Sequence, residues 1–197
     1  MSNGEDTGRR RFLTTTTAVV GATAAGVAAV PFISAWLPSA KAKALGAPVT
    51  IDISKLEPGM IVKELWRGKP VWVVRRTVSS VKALADISDR LRDPESLQDM
   101  QPNYAKNLSR SIKSEIAVLL GVCTHLGCAP TYITAAGPHD LGDDWTGGFF
   151  CPCHGSKFDL AGRVYKGVPA PTNLEVPPHR YASDSIIVIG EDAEGSA

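Results

Sequence analysis

Short segments in which apolar and polar residues alternate are spread along the chain after residue 48. The segment 49–53 (VTIDI) is the clearest, because every second residue is apolar. A strand with one buried face has this period, and turn residues such as Glu-Pro-Gly at 57–59 separate the segments. The pattern predicts an all-β domain, an antiparallel β-sandwich with short connections. The predicted strands are 49–53, 60–65, 71–78, 116–122, 148–150, 163–165 and 185–189.

One segment has a different period. Val81, Leu84, Ile87 and Leu91 recur at helical spacing, which predicts a short helix. The polar stretch 86–114 carries many charges, and we interpret it as an insertion of helix and loop with a solvated face. We assign no chemistry to it.

The N-terminal segment combines a basic cluster with a long apolar run. Arg9–Arg11 is followed by 12–40, which has no charged residue. A twin arginine before an apolar run is typical of a bacterial Tat signal, and the run is long enough to span a membrane. Small residues at 40–44 also fit a signal-peptidase site. Length and flanking charge favour an anchor, a single inner-membrane span with residues 1–11 cytoplasmic and the following domain periplasmic.

Two further regions follow this segment. Residues 41–48 are small or polar, which predicts a flexible tether with an extended reach of about 26–29 Å. Residues 49–197 are sufficient for one globular domain with its own core. The formal net charge of +1 argues against a nucleic-acid surface.

All four cysteines lie in two hexapeptides, CTHLGC at 123–128 and CPCHGS at 151–156. A structural zinc site takes a Cys₂His₂ set, but it would leave two cysteines unused and would not explain the glycines or the serine. Two ordinary disulfides would leave both histidines without a role. An iron–sulfur centre with mixed ligation accounts for both residue types, because a thiolate pair can hold one iron and an imidazole pair the other.

The two hexapeptides resemble the halves of the Rieske motif, C-x-H-x-G-C and C-x-C-H-x-S, with the second cysteines typical of the quinol-oxidising branch. The resemblance implies one [2Fe–2S] cluster per chain and a disulfide that joins the two loops. An oxidising periplasm would permit that disulfide. The implied roles are inner-iron ligation by Cys123 and Cys151, outer-iron ligation by His125 and His154, and a disulfide between Cys128 and Cys153.

Residues around the hexapeptides also match the family. By resemblance, Ser156 donates to a bridging sulfide, and Leu126 covers the cluster and shapes the docking face. Pro169 belongs to a proline loop on a third side, although Val168 interrupts the Gly-Pro-Ala-Pro order of many relatives. Phe158 stands where many high-potential relatives have tyrosine. Because phenylalanine cannot donate a hydrogen bond to a ligand sulfur, we expect a lower potential.

Two histidines lie outside the motif, His139 and His179, and their polar, proline-containing surroundings predict surface positions. The function that the resemblance implies is transfer of one electron from ubiquinol, held by a cytochrome b subunit, to a cytochrome c₁-type subunit. His154 would contact the quinol and accept its proton. The implied assembly is a dimeric, multi-subunit respiratory complex with ubiquinol–cytochrome c reductase activity.

Two other functions remain open at this stage. Small Rieske subunits of periplasmic molybdenum oxidoreductases, such as arsenite oxidase, also use Tat export and can share both motifs. A zinc-stabilised periplasmic interaction domain is the non-enzymatic alternative.

Overall fold

Residues 3–135, 140–192 and 195–196 are described by a computed structural model, which divides into two units after Ala44. The first unit is dominated by helix α1 (Asn3–Ser34), which continues through Pro31 near its end. Its segment Thr7–Ser34 is long and apolar enough to cross a membrane, with a mean hydropathy of 1.7. A signal sequence near an N-terminus meets the same criterion.

The predicted tether is largely helical in the structure. Helix α2 (Ala40–Gly46) begins where the Ser39 hydroxyl accepts a hydrogen bond from Ala42 N at 3.1 Å. A helix rises about 1.5 Å per residue, less than half the advance of an extended chain. The segment is therefore shorter than its extended limit, and its use as a flexible tether stays a prediction.

The described residues of the second unit form eleven strands. The strands are β1 (Val49–Asp52), β2 (Ile61–Trp66), β3 (Lys69–Arg75), β4 (Ile116–Leu120), β5 (Thr131–Ile133), β6 (Gly148–Cys151), β7 (Ser156–Asp159), β8 (His179–Ser183), β9 (Ile186–Ile189), β10 (Glu191–Asp192) and β11 (Gly195–Ser196). They build three antiparallel sheets of three strands each, in the orders β1-β9-β8, β2-β3-β4 and β5-β6-β7, and a short β10-β11 pair. The predicted all-β, antiparallel fold class is confirmed.

Strands β3 and β4 are buried on both faces of their sheet, which explains why β4 is apolar throughout. Along β3, Val71 and Val73 pack with the β1-β9-β8 sheet, whereas Trp72 and Val74 pack with β6, β7 and the cysteine loops. Side chains of a strand alternate between the two faces of its sheet, so a strand between two cores has no polar face. The cysteine loops are therefore anchored on the second core.

Several strand predictions differ from the structure in position. The segment predicted at 163–165 forms only the isolated bridges Leu91–Tyr165 and Phe158–Val164. The segment predicted at 71–78 ends as a strand at Arg75, since Thr77 caps helix α3 (Val78–Asp86). Strands β5, β7 and β8 were not predicted, because they are short and carry little apolar alternation.

The insertion is not purely a solvated face. After α3 it contains 3₁₀ turns at Ser88–Arg90 and Asn103–Ala105 and several buried polar side chains. The buried polar residues of the insertion are Asp93, Ser96, Gln101, Arg110 and Ser111.

The prediction that His179 lies at the surface was also wrong, because that residue is 1% exposed. Its Nδ1 lies 2.8 Å from the carbonyl oxygen of Pro177. His139 lies outside the described residues.

Candidate metal centre

The two hexapeptides fold into loops with the same hydrogen-bond pattern. In each, a glycine four residues after the first cysteine donates its N–H to that cysteine's carbonyl oxygen, at 2.9 Å for both Gly127 and Gly155. Both glycines have positive φ, 81° and 76°, and an added Cβ would meet nothing within 4 Å. The glycines are thus required by backbone conformation and not by lack of space. This accounts for their place in each motif.

The first cysteine of each loop is buried and outside any disulfide. Cys123 and Cys151 are each 2% exposed and pack in the same core as Trp72 and Phe149. Burial raises the pKa of the Cys151 thiol, and its hydrogen bond with the Cys123 side chain acts in the same direction. Two thiols in hydrogen-bonding contact are placed to serve as a ligand pair, and a bound metal would favour their deprotonated forms.

The two histidines meet at the outer end of the same loops. The ring centroids of His125 and His154 are 4.7 Å apart, with the rings nearly perpendicular at 86°. His154 is exposed and His125 is half-buried. Leu126, beside them, is 71% exposed. The loop ends therefore present an imidazole pair and an apolar side chain to solvent.

A disulfide joins the loops between Cys128 and Cys153, whose Cα atoms are 6.8 Å apart. The sulfur atoms of these two residues and of Cys151 also lie within 4.8 Å of one another, which would group all three as metal ligands. Sulfurs that share a disulfide are not thiolates, and only a thiolate is a strong ligand for iron or zinc. The thiols that can serve as ligands are therefore those of Cys123 and Cys151.

A third loop is held against both cysteine loops. Ser156 Oγ accepts a hydrogen bond from Ala170 N at 3.1 Å, and Thr124 Oγ1 donates to the carbonyl oxygen of Thr172 at 2.8 Å. Pro169 itself is exposed. Sequence reasoning missed Thr124, because its partner lies 48 residues away and no local pattern links them.

The additional valine of the proline loop is held by the insertion. Val168 is half-buried, and its carbonyl oxygen accepts a hydrogen bond from Arg92 Nη2 at 3.0 Å. Arg92 belongs to the insertion, so the insertion supports this side of the centre. The sequence contained no signal for this contact.

Phe158 is fully buried beneath the centre. It lies opposite Phe149 in the β6–β7 register, in the core that also contains both free thiols. Phe149 in turn stacks on Trp72 with a centroid distance of 5.0 Å. Position 158 is thus an apolar wall of the centre. The predicted effect of the missing hydroxyl on the potential stays a prediction.

The donor set fits a [2Fe–2S] cluster with mixed ligation. Two buried thiols outside a disulfide suit one iron, and two imidazoles near solvent suit the other. Ser156 is buried next to them and, while accepting from Ala170 N, retains its own hydroxyl hydrogen for donation. Polar groups of this kind tune a cluster through hydrogen bonds to sulfur.

Two family models match the chain in separate places. Residues 95–178 match the Rieske [2Fe-2S] domain, and residues 1–39 match the model described as the Ubiquitinol-cytochrome C reductase Fe-S subunit TAT signal. These matches confirm the predicted cofactor and the predicted Tat signal. With the apolar helix α1, they indicate a membrane anchor.

Relatives with established names match nearly the whole chain. The ubiquinol-cytochrome c reductase iron-sulfur subunit of Allochromatium vinosum is 59% identical over 189 residues, covering 96% of this chain and 91% of the relative. The subunit of the same name from Blastochloris viridis is 46% identical and covers 92% of each chain. That from Rhodospirillum rubrum is 41% identical, covering 95% of this chain and 94% of the relative. The chain therefore belongs to the family of ubiquinol–cytochrome c reductase iron–sulfur subunits.

Proposed function

We propose that this chain is the electron-transferring subunit of a membrane-bound ubiquinol–cytochrome c reductase. It takes one electron from ubiquinol at a cytochrome b subunit and passes it to a cytochrome c₁-type subunit. The observation that carries the proposal is the paired donor set, two buried thiols and two outer imidazoles, on loops joined by a disulfide. Family membership favours this function over a molybdenum-enzyme subunit, because the relatives described above carry the ubiquinol–cytochrome c reductase name.

The four proposed ligands divide by burial. Cys123 and Cys151 would hold the inner iron inside the core, and His125 and His154 would hold the outer iron at the surface. A [2Fe–2S] cluster ligated in this way supplies a one-electron acceptor whose potential is raised, since neutral imidazoles replace two thiolates. The disulfide between the second cysteines keeps the two loops together during loading and turnover.

His154 is the proposed contact for the quinol. It is the more exposed of the two imidazoles, so a quinol hydroxyl can reach it without rearrangement of the loops. A ring nitrogen would accept the hydrogen bond and then the proton, for which imidazole is suited near neutral pH. Leu126 would pack against the partner beside it, because its side chain already faces solvent.

We place the Rieske domain in the periplasm, with Arg9–Arg11 in the cytoplasm, in a dimeric complex at the inner membrane. Cationic residues beside a span favour the cytoplasmic side, and a disulfide persists in an oxidising compartment. The segment 41–48 would then connect the anchor to the domain. The boundary of the two units falls within this segment, after Ala44, which supports a linking role.

The test is a potentiometric titration with low-temperature EPR on the membrane-bound protein and its natural partners. We expect a high-potential Rieske signal whose midpoint falls with rising pH and whose line shape changes with quinone-site inhibitors. A signal indifferent to those inhibitors would support the molybdenum-enzyme alternative. Absence of an iron signal would support zinc.

Matched variants test the ligand set. Cys123→Ser and His154→Ala should abolish the signal. His139→Gln, a substitution of a histidine outside the motif, should leave it unchanged. Retention of a wild-type signal in His154→Ala would overturn the ligand assignment while leaving the family membership intact.

A further inference from the structure

Five buried charged side chains surround the turn at residues 159–163, which follows β7. We call this group the charged hub. It draws on three separate parts of the chain, including the insertion that the sequence pattern assigned to a solvated surface. Its members are Arg76, Asp93, Arg110, Asp159 and Arg163, all less than one-tenth exposed.

Two members of the hub neutralise each other. Asp159 Oδ2 accepts from Nε and Nη2 of Arg163, each at 2.7 Å, and its Oδ1 accepts from two backbone N–H groups of the turn. Arg163 Nη2 also donates to the carbonyl oxygen of Leu84 at 2.6 Å. This ion pair is fully hydrogen-bonded and contributes no net charge.

The other two arginines bond to neutral oxygens. Arg76 donates to the carbonyl oxygens of Leu160, Ser114 and Ser109 at 2.7–3.0 Å. Arg110 donates to the carbonyl of Ala161 at 3.0 Å and to Gln101 Oε1 at 2.9 Å, with a longer bond to Met100. Burial lowers the pKa of both arginines to about 10, so both keep their protons at neutral pH.

The remaining member, Asp93, is engaged with the backbone. Its carboxylate accepts from the N–H groups of Leu97 and Gln98, and its charge attracts Arg110. Asp159 attracts both Arg76 and Arg110. Glu115 also attracts Arg76, but Glu115 is exposed, so solvent screens that interaction. Three buried guanidinium groups and two buried carboxylates leave the hub with a net positive charge.

The hub and the metal centre share one core. Ser156 and Asp159 stand at the two ends of β7, so their Cα atoms are separated by about 10 Å. A Cβ added to Gly162 would meet Arg110 Nη1, Leu119 and Leu174 within 3.1 Å. Both leucines pack in the same buried cluster as Cys123 and Cys151. The leucines near the Arg110 guanidinium group thus belong to the apolar cluster that contains the thiols, and apolar side chains screen charge poorly.

We propose that the buried positive charge of the hub, carried by Arg76 and Arg110, raises the reduction potential of the cluster. Reduction adds one electron, and a fixed positive charge in a poorly screened interior stabilises the added negative charge. The arginines would act through this field and would not touch the cluster. The inference rests on the ligand set proposed above.

The experiment measures the midpoint potential of the membrane-bound complex at fixed pH by EPR-monitored titration. Arg76→Met and Arg110→Met remove a positive charge and should each lower the midpoint. Asp93→Asn removes a negative charge at nearly constant shape and should raise it. Arg180→Met is the matched control, because Arg180 is an exposed arginine in an ion pair with Glu191, and it should leave the midpoint unchanged.

Shifts of opposite sign separate the field from structural damage, which would not raise the potential in one variant and lower it in the others. Arg110→Lys, which keeps the charge, should give a midpoint closer to wild type than Arg110→Met does. If the methionine variants assemble no cluster, the Asp93→Asn variant tests the inference alone. An unchanged or lowered midpoint potential in Asp93→Asn overturns the inference. Loss of the Rieske signal in wild type itself would instead contradict the proposed function.

Discussion

The two ends of strand β7 differ in the solvent exposure of the polar groups around them. At the Ser156 end, the two cysteine loops expose His154 and Leu126 to solvent, and a disulfide joins one loop to the other. At the Asp159 end, a carboxylate and a guanidinium group are 0% exposed, and both are hydrogen-bonded to the backbone as well as to each other. Only about 10 Å of strand separates the two arrangements.

The difference reflects what each end must do. An electron carrier needs its outer ligands at the surface, because redox partners have to approach them. The Asp159 end of the strand contacts no proposed partner. Charged groups can be buried there because hydrogen bonds compensate for their loss of contact with water. The exposed end therefore depends on a covalent link for its geometry, and the buried end depends on a hydrogen-bonded network.

The largest effect is expected at the buried end. Asp159→Ala leaves the Arg163 guanidinium buried without its carboxylate and should lower the free energy of unfolding by about 3–5 kcal/mol. Denaturant unfolding of the full chain measures this. Asp184→Ala, which removes the exposed partner of Lys113, should cause no measurable loss. Equal stability of the two variants would contradict the importance of the network.

The next largest effect is expected from removal of the disulfide at the exposed end. Replacing Cys128 and Cys153 together by serine removes a cross-link between residues 25 apart, with an expected loss of about 3–4 kcal/mol in the chain-entropy estimate. Hydrogen exchange should accelerate in both cysteine loops and stay slow in the turn 159–163. Uniform acceleration through the domain would mean that the two ends are not independently held.

A smaller effect is expected at Phe158, which lies between the two ends of β7. Phe158→Tyr adds a hydroxyl group to the core that contains the free thiols and should raise the midpoint potential. One hydrogen bond of about 0.5–1.5 kcal/mol corresponds to about 20–60 mV for one electron. EPR-monitored titration measures the shift. An unchanged potential with an intact Rieske signal would show that the new hydroxyl does not reach a ligand sulfur.

The smallest effect is expected away from both ends. Thr77 Oγ1 accepts a hydrogen bond from Ser80 N at 3.1 Å and caps helix α3. Thr77→Ala should reduce stability by about 1 kcal/mol and leave the midpoint potential unaltered. Thr77→Ser, which keeps the hydroxyl, is the matched control. A shifted potential would indicate that general loosening, rather than local contacts, controls the cluster.

The sequence predicted much of the fold, because several strands are marked by a short apolar run or by alternation of apolar and polar residues. It placed β1, β2, β4, β6 and β9 close to their observed positions. It missed β7, where Lys157 and Asp159 alternate with Ser156 and Phe158 and only one side chain is strongly apolar. Pairing with β6, and not intrinsic pattern, makes that segment a strand.

Sequence reasoning misjudged the polar insertion for a related reason. A charged residue is usually exposed, so a charge-rich segment predicts a solvated face. Arg110 is an exception because its guanidinium group donates to the carbonyl oxygen of Ala161, 51 residues away, and Asp93 is one because the nearby N–H groups of Leu97 and Gln98 donate to its carboxylate. His179 is buried for a similar reason, with its ring nitrogen near a backbone carbonyl and its ring against Tyr104.

The sequence by itself determined the chemistry of this protein, because thiols, imidazoles and turn glycines at set spacings are local features of two hexapeptides. It also determined the apolar N-terminal run, which depends on composition alone. Only the tertiary structure decided which long-range contacts support the centre. Thr124 donates a hydrogen bond to Thr172, and Arg92 donates one to Val168. The charged hub assembles at the Asp159 end of β7. Those contacts join residues that are far apart in the chain, and folding brings them together by satisfying buried polar groups that no local pattern identifies.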